Sequence, residues 1–118
     1  MFGFEGLGKM SRVIFRLKRW WPPDKPRSEQ FDCYEAIKAG RKTSEFRDAT
    51  EYWHNRLFAR AGVLYPKKVD RAWFMVGFPK GNMPRLEAEV KRVVIHCNHD
   101  GYSEQYEIKF ENVVEVLE

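Results

Sequence analysis

The stretch Arg85-Leu86-Glu87-Ala88-Glu89-Val90-Lys91-Arg92-Val93-Val94-Ile95-His96-Cys97 begins as an alternation of apolar and charged residues and changes phase halfway along. Leu86, Ala88 and Val90 share one face of a strand, because successive side chains point to opposite sides. Beyond Lys91 and Arg92 the apolar set moves to Val93, Ile95 and Cys97. A shift of one residue is the mark of a β-bulge near Lys91-Arg92, and a bulge bends its strand. Long, bent strands are what a small barrel is made from.

The flanking segments fit that frame. Downstream, Asn98-His99-Asp100-Gly101 reads as a turn. Tyr106, Ile108 and Phe110 form the hairpin return, and Val113 to Leu117 a last short strand. Upstream, residues 70–78 read as a strand apolar enough to be buried on both faces, followed by a loop over Pro79–Pro84. Val13, Phe15 and Leu17 alternate with Arg16 and Lys18 in a first strand. The prolines of Trp20-Trp21-Pro22-Pro23-Asp24-Lys25-Pro26 predict an ordered, extended loop. Ser28 is an N-cap candidate for a helix carrying Phe31, Tyr34 and Ile37, which stops at Gly40. Lys42 to Arg47 is a short strand. A second helix is expected from Thr50 to near Gly62, with Trp53, Leu57 and Ala61 as its stripe. The order β-α-β-α-β-β-β predicts an α+β fold: a small, strongly curved sheet or barrel with two main helices at its ends.

At 118 residues with 43% hydrophobic content the chain can bury one core without staples. Residues 1–11 are expected to be an N-terminal extension and 12–118 the domain. Met1 to Met10 has no continuous apolar stretch like that of a secretory leader, and no apolar run approaches membrane-spanning length. The expectation is a cytoplasmic protein with no membrane partner. Cys33 and Cys97 are too few for a disulfide framework and are expected as reduced, mostly buried thiols. Charge is polarised. Residues 1–27 hold seven basic side chains against Glu5 and Asp24, whereas residues 103–118 hold five glutamates against Lys109. Such polarity attracts phosphate, although a solvated surface carries the same pattern.

The densest chemistry lies in Ala39-Gly40-Arg41-Lys42-Thr43-Ser44-Glu45-Phe46-Arg47-Asp48. A helix ends in glycine, and a strand then presents Lys42, Glu45 and Arg47 within six residues. Strand parity puts Glu45 and Arg47 on one face with Phe46 on the other, and Lys42 at the strand's edge. Lys42 and Arg47 can bind phosphate, and Glu45 can accept a proton or hold a base edge. The competing reading is a surface ion-pair ladder.

The segment from Phe31 to Arg47 resembles the opening of ASCH domains, members of the PUA-like superfamily whose signature is a helix followed by G-x-K-x-x-x-x-R. Gly40, Lys42 and Arg47 match it. The resemblance covers roughly residues 12–118 and implies a small PUA-like β-barrel with a cleft between barrel and helices. It further implies a partner among RNAs or nucleotides, since families of this type bind RNA or modified bases. Some members are ribonucleases and others hydrolyse the amide of N4-acetylcytidine. In the amidohydrolases the lysine matching Lys42 is catalytic. Their threonine three positions later is Glu45 here, and their catalytic glutamate lies in a later helical segment that is not read in this chain.

Around that signature, Arg41, Lys42, Arg47, Tyr52, Trp53 and Lys80 are the expected nucleic-acid contacts, and Lys42 and Glu45 the catalytic pair of any hydrolase. Trp20, Trp21 and Tyr52 are hard to bury and suit stacking on a base, whereas Trp73, Phe74 and Phe78 are expected in the core. Phe78-Pro79-Lys80-Gly81-Asn82 reads either as a phosphate-gripping loop or as a tight hairpin turn. His96 and Cys97 point to opposite faces of a strand, which leaves no set of four ligands for structural zinc. No metal or cofactor is expected. Three uses stay open: an RNA- or nucleotide-binding module, a metal-independent hydrolase on the same cleft, and a protein-interaction module built on the Trp-Trp-Pro-Pro loop.

Overall fold

The computed structural model describes residues 11–58, 69–77 and 83–117. Residues 1–10, Ala61, Gly62, Phe78 and residues 79–82 of the loop with Lys80, each assigned a role by the sequence, lie outside them. The fold is α+β, with a curled half-barrel sheet and two short helices. Strand β1 (Arg12–Leu17) is followed by a two-stranded ribbon of β2 (Trp20–Trp21) and β3 (Phe31–Asp32). Helix α1 (Cys33–Lys38), strand β4 (Ser44–Asp48) and helix α2 (Glu51–Leu57) come next. The chain ends with β5 (Arg71–Val76) and the two long strands β6 (Arg85–Cys97) and β7 (Ser103–Val116). The sheet order is β1-β5-β6-β7-β4. Only β1 and β5 run parallel, so the sheet is mainly antiparallel as expected.

The curl comes from the bulges. Val90 faces Phe110 and Arg92 faces Lys109, so Lys91 is the extra residue on β6, where the phase change placed it. Two further register shifts fall between Glu87/Glu89 and His96/Cys97. The first puts an extra residue on β7 beside Asn112, whose φ of 55° suits the tolerance of asparagine for the left-handed region. Beyond this bulge β7 runs on to Val116, so the separate final strand expected at Val113 is a continuation.

The core fills the concave side. Val13, Phe15 and Leu17 meet Ala72 and Phe74, Leu86, Ala88 and Val90, and Tyr106, Ile108 and Phe110, the faces their alternation predicts. Phe15 stacks on Phe74 at 5.5 Å between ring centroids, and Phe74 reaches Phe110 at 4.8 Å. Trp73, expected beside Phe74 in the core, lies on the opposite face of β5 between the guanidiniums of Arg12 and Arg85, 4.0 and 3.9 Å from the ring centroid. The alternation that buries Ala72 and Phe74 turns Trp73 away.

Both helices depart from expectation at one end. Ser28 lies in a 3₁₀ turn (Arg27–Glu29), and α1 begins five residues later. Its cap is Asp32, which accepts the Glu35 N–H at 3.1 Å through Oδ1 and Arg19 Nε at 2.8 Å through Oδ2. The delay arises because Phe31 and Asp32 pair with Trp21 and Trp20, which also makes the tryptophans a strand rather than an extended loop. At the other end Gly40 behaves as predicted. With φ of 81° it donates to Ile37 O, and Arg41 N donates to Ala36 O, the paired bonds of a Schellman stop. Helix α2, expected to start at Thr50, begins at Glu51 with Thr50 as its cap, and it ends at Leu57, where Phe58 turns extended, instead of running to near Gly62. Cys33 is buried, but Cys97 is exposed, contrary to expectation. Among the described residues no helix is long and apolar enough to cross a membrane.

Two side-chain networks fasten the outer elements. Tyr34 donates to Glu115 Oε2 at 2.8 Å, tying α1 to β7. On the convex face Ser44 Oγ donates to Glu107 Oε2 at 2.7 Å, and His96 Nε2 sits 2.9 Å from Glu107 Oε1. The serine hydrogen bond, then the histidine one, holds the Glu107 carboxyl below its ordinary value of 4.5.

Phe74 sits at 0% exposure in mid-core, so Phe74→Ala should cost about 3–5 kcal/mol of unfolding free energy in urea titrations; a loss under about 1 kcal/mol would show that the core closes without it. A carboxylate with a depressed folded pKa stabilises the fold fully above its unfolded value, and that contribution is lost as pH falls through the folded value. The denaturation midpoint should therefore fall below pH 4.5, and Glu107→Gln should flatten that decline relative to the parent chain.

Candidate functional site

Strands β1 and β4 end the sheet order, and no ladder joins them. Between them lies a cavity of about 380 Å³. Arg16, Leu17 and Lys18 of the β1 end form one wall, and Glu45, Phe46 and Arg47 of β4 the other. The ribbon closes a third side with Trp21 and Phe31, and Cys33 and Lys42 complete the lining. The candidate site is the unclosed seam of the half-barrel.

The Gly40 turn sets its geometry. Lys42 N also donates to Ala36 O, so the lysine backbone is fixed to the end of α1. Strand β4 then pairs antiparallel with β7, with Glu45 opposite Ile108 and Arg47 opposite Tyr106. Both are turned inward with their buried neighbours, and Phe46 is turned outward, as parity predicts. Glu45 is only 7% exposed. Its Oε1 accepts from Lys42 Nζ at 2.6 Å and its Oε2 from Arg47 Nη1. Lys42 Nζ also donates to Ser44 O, and Arg47 Nη1 to Phe46 O at 2.8 Å. The Arg47 guanidinium lies 4.9 Å from the Phe15 ring centroid and 5.3 Å from that of Trp53, so it spans from β4 to β1.

The structure therefore brings Lys42, Glu45 and Arg47 into one cluster. Trp53 stands behind it as a plate, stacked on Phe15 at 5.4 Å. Arg41 is exposed on the Gly40 turn and does not line this cavity. Tyr52 is 55% exposed, lies outside the lining, and carries the Arg56 guanidinium 3.5 Å from its ring centroid. Lys80 lies outside the described residues. Sequence reasoning did not single out Phe31, Cys33 or Phe46 for the site. The pairing of Trp21 with Phe31 brings the first two there, and a two-residue ribbon leaves no periodicity to read.

The lining has a marked charge imbalance. Arg16, Lys18, Lys42 and Arg47 face Glu45 as the one acid among them. Three aromatic rings on the rim remain open to solvent: Trp21 and Phe31 at 46% and Phe46 at 42%. Cys33 belongs to the wall chemically as well as spatially. Burial pushes its thiol above the ordinary value of 9.0 despite the nearby Lys42 ammonium, so it stays protonated and is a poor nucleophile. Among the described residues no three His, Cys, Asp or Glu side chains gather as a metal site. No family model, curated protein or solved structure matches the chain, and the cavity's own chemistry is what speaks to its use.

Proposed function

We propose that the chain is an ASCH-type, PUA-like module and that the seam cavity binds a nucleotide, free or within single-stranded RNA. The observation that carries this reading is the pairing of four cations with three exposed aromatic rings around one opening. Cations supply hydrogen-bond donors and charge for phosphate. Exposed rings offer stacking surface worth about 1–3 kcal/mol per base. Of the signature positions, Lys42 and Arg47 line the cavity and Gly40 makes the turn that leads into it.

The arrangement favours binding over rapid catalysis. Both Glu45 oxygens are committed to cations, so neither points free toward a substrate proton. Lys42 is likewise committed, to Glu45 and the Ser44 carbonyl. Its ammonium can stabilise an anion while it stays held in place by those two bonds. By contrast only Nη1 of Arg47 is engaged among the described residues, so the rest of its fork is available to a ligand.

Lys42→Ala should weaken binding of a short single-stranded RNA by roughly 10–100-fold, the range for hydrogen bonds to charged groups, measured by fluorescence anisotropy at low salt. Affinity should fall with rising salt at about 0.7 logarithmic units per phosphate neutralised. A flat salt response would instead point to hydrophobic docking on Trp21 and Phe31. Unchanged affinity in both Lys42→Ala and Arg47→Ala, with folding verified by circular dichroism, would remove the seam as the binding site.

Glu45→Gln should affect binding more than turnover, because the carboxylate positions both cations. Steady-state kinetics on a short RNA and on N4-acetylcytidine should give slow turnover at most. Fast turnover that disappears in Glu45→Gln while affinity holds would make the chain a hydrolase.

A further inference from the structure

A second cavity, of about 430 Å³, opens on the other side of the Gly40 turn. Its lining includes Lys38, Gly40, Lys42, Thr43, Lys91 and Asn112. Lys42 lines both cavities. We infer that this cavity is a phosphate subsite continuous with the seam, so that the ligand is a single strand of two or more nucleotides crossing the Gly40–Thr43 turn. The inference rests on the nucleotide reading of the seam.

Three observations carry it. First, two of the sheet's three irregularities converge here. Lys91 is the residue inserted on β6, and Asn112 marks the insertion on β7. Bulges re-aim side chains out of the regular pleat, and these two frame the same cavity. Second, lysines outnumber acids in its lining, and one of them is loosely held: Lys38 is paired with Glu115 at 3.0 Å and Lys42 with Glu45 at 2.6 Å, whereas Lys91 is not so fixed. Lys38, Lys42 and Lys91 face Glu111 as the one acid in the lining. The Lys91–Glu111 pair is 3.9 Å apart with both side chains about half exposed (54% and 49%). A pair of that kind contributes little and is readily exchanged for a phosphate. Third, the saddle between the cavities is open. A Cβ added at Gly40 would meet nothing within 4 Å, so a backbone can pass close to it. Arg41, exposed beside it, is placed to meet that passing backbone. This gives Arg41 the phosphate role that the seam itself does not.

The test compares uridine monophosphate with oligouridylates of two to six nucleotides on the full chain, by anisotropy competition at several salt concentrations. Affinity should rise by about tenfold or more between the mononucleotide and the short oligomers, with a steeper salt slope. Lys91→Ala and Arg41→Ala should each weaken oligomer binding several-fold and make its salt slope shallower by about 0.7, while leaving mononucleotide affinity unchanged. Both positions are exposed, so folding is retained. If mononucleotide and oligomers bind equally, or if the two substitutions affect neither or both alike, the second subsite is wrong and the seam reading stands. If neither probe binds the parent chain, both readings fall.

Discussion

Strands β1 and β4 do not pair, and the site follows from that failure to close. A barrel removes its edges by joining first and last strands through backbone hydrogen bonds. Among the described residues the sheet stops after five strands, and the gap is spanned by side chains. Arg47 reaches from β4 to the Phe15 ring on β1, and Glu45 holds both Arg47 and Lys42 in the opening. The aromatic ribbon covers the remaining side. Unpaired edges are ordinarily a liability because they template association. Charge at these two edges and the ribbon beside them make the seam a poor place for another strand to pair.

Burying a carboxylate in such a gap has an energetic logic. A desolvated ion costs several kcal/mol unless strongly paired, and an apolar replacement of similar shape is often no worse for stability. Glu45 is nearly fully buried, so its two short contacts offset its desolvation rather than add to the fold. Removing it would leave two partly buried cations facing each other. Stability alone therefore gives weak reason for the cluster. Its stronger consequence is positional: it fixes where the donors of Lys42 and Arg47 point.

How much of this was legible in the sequence depends on the range of the interaction that decides each element. Alternation reports on the nearest neighbours, and it placed the β1, β6 and β7 core faces, the bulge at Lys91 and the inward turn of Glu45 and Arg47. The Gly40 stop was legible because only the backbone conformation of one residue was at stake. The start of α1 was not. Ser28 and Asp32 are both competent caps, and the choice between them is made by ribbon pairing of Phe31 and Asp32 with Trp21 and Trp20, beyond the proline loop. The same long-range pairing hid Phe31 and Cys33 from the site. Trp73 was misplaced for a different reason. A central strand rich in apolar residues reads as buried on both faces, but among the described residues Trp73 on its convex face is flanked by the guanidiniums of Arg12 and Arg85. The bulge at Asn112 had a signal, an asparagine interrupting an apolar return strand, which marks a residue able to take positive φ.

The polarisation of charge along the chain acquires a structural meaning in the folded molecule. The glutamates of β7 act largely as internal counterions. Glu107 serves Ser44 and His96, Glu115 serves Tyr34 and Lys38, and Glu111 stands near Lys91. They fasten α1 and β4 onto the sheet. The basic residues at the end of β1 meet a different setting. Strand β1 ends the sheet order and its open side is the seam, so Arg16 and Lys18 line the same cavity as Lys42 and Arg47 of the β4 side. The acidic strand thus fastens the frame, while basic side chains from the two ends of the sheet meet at the opening between them.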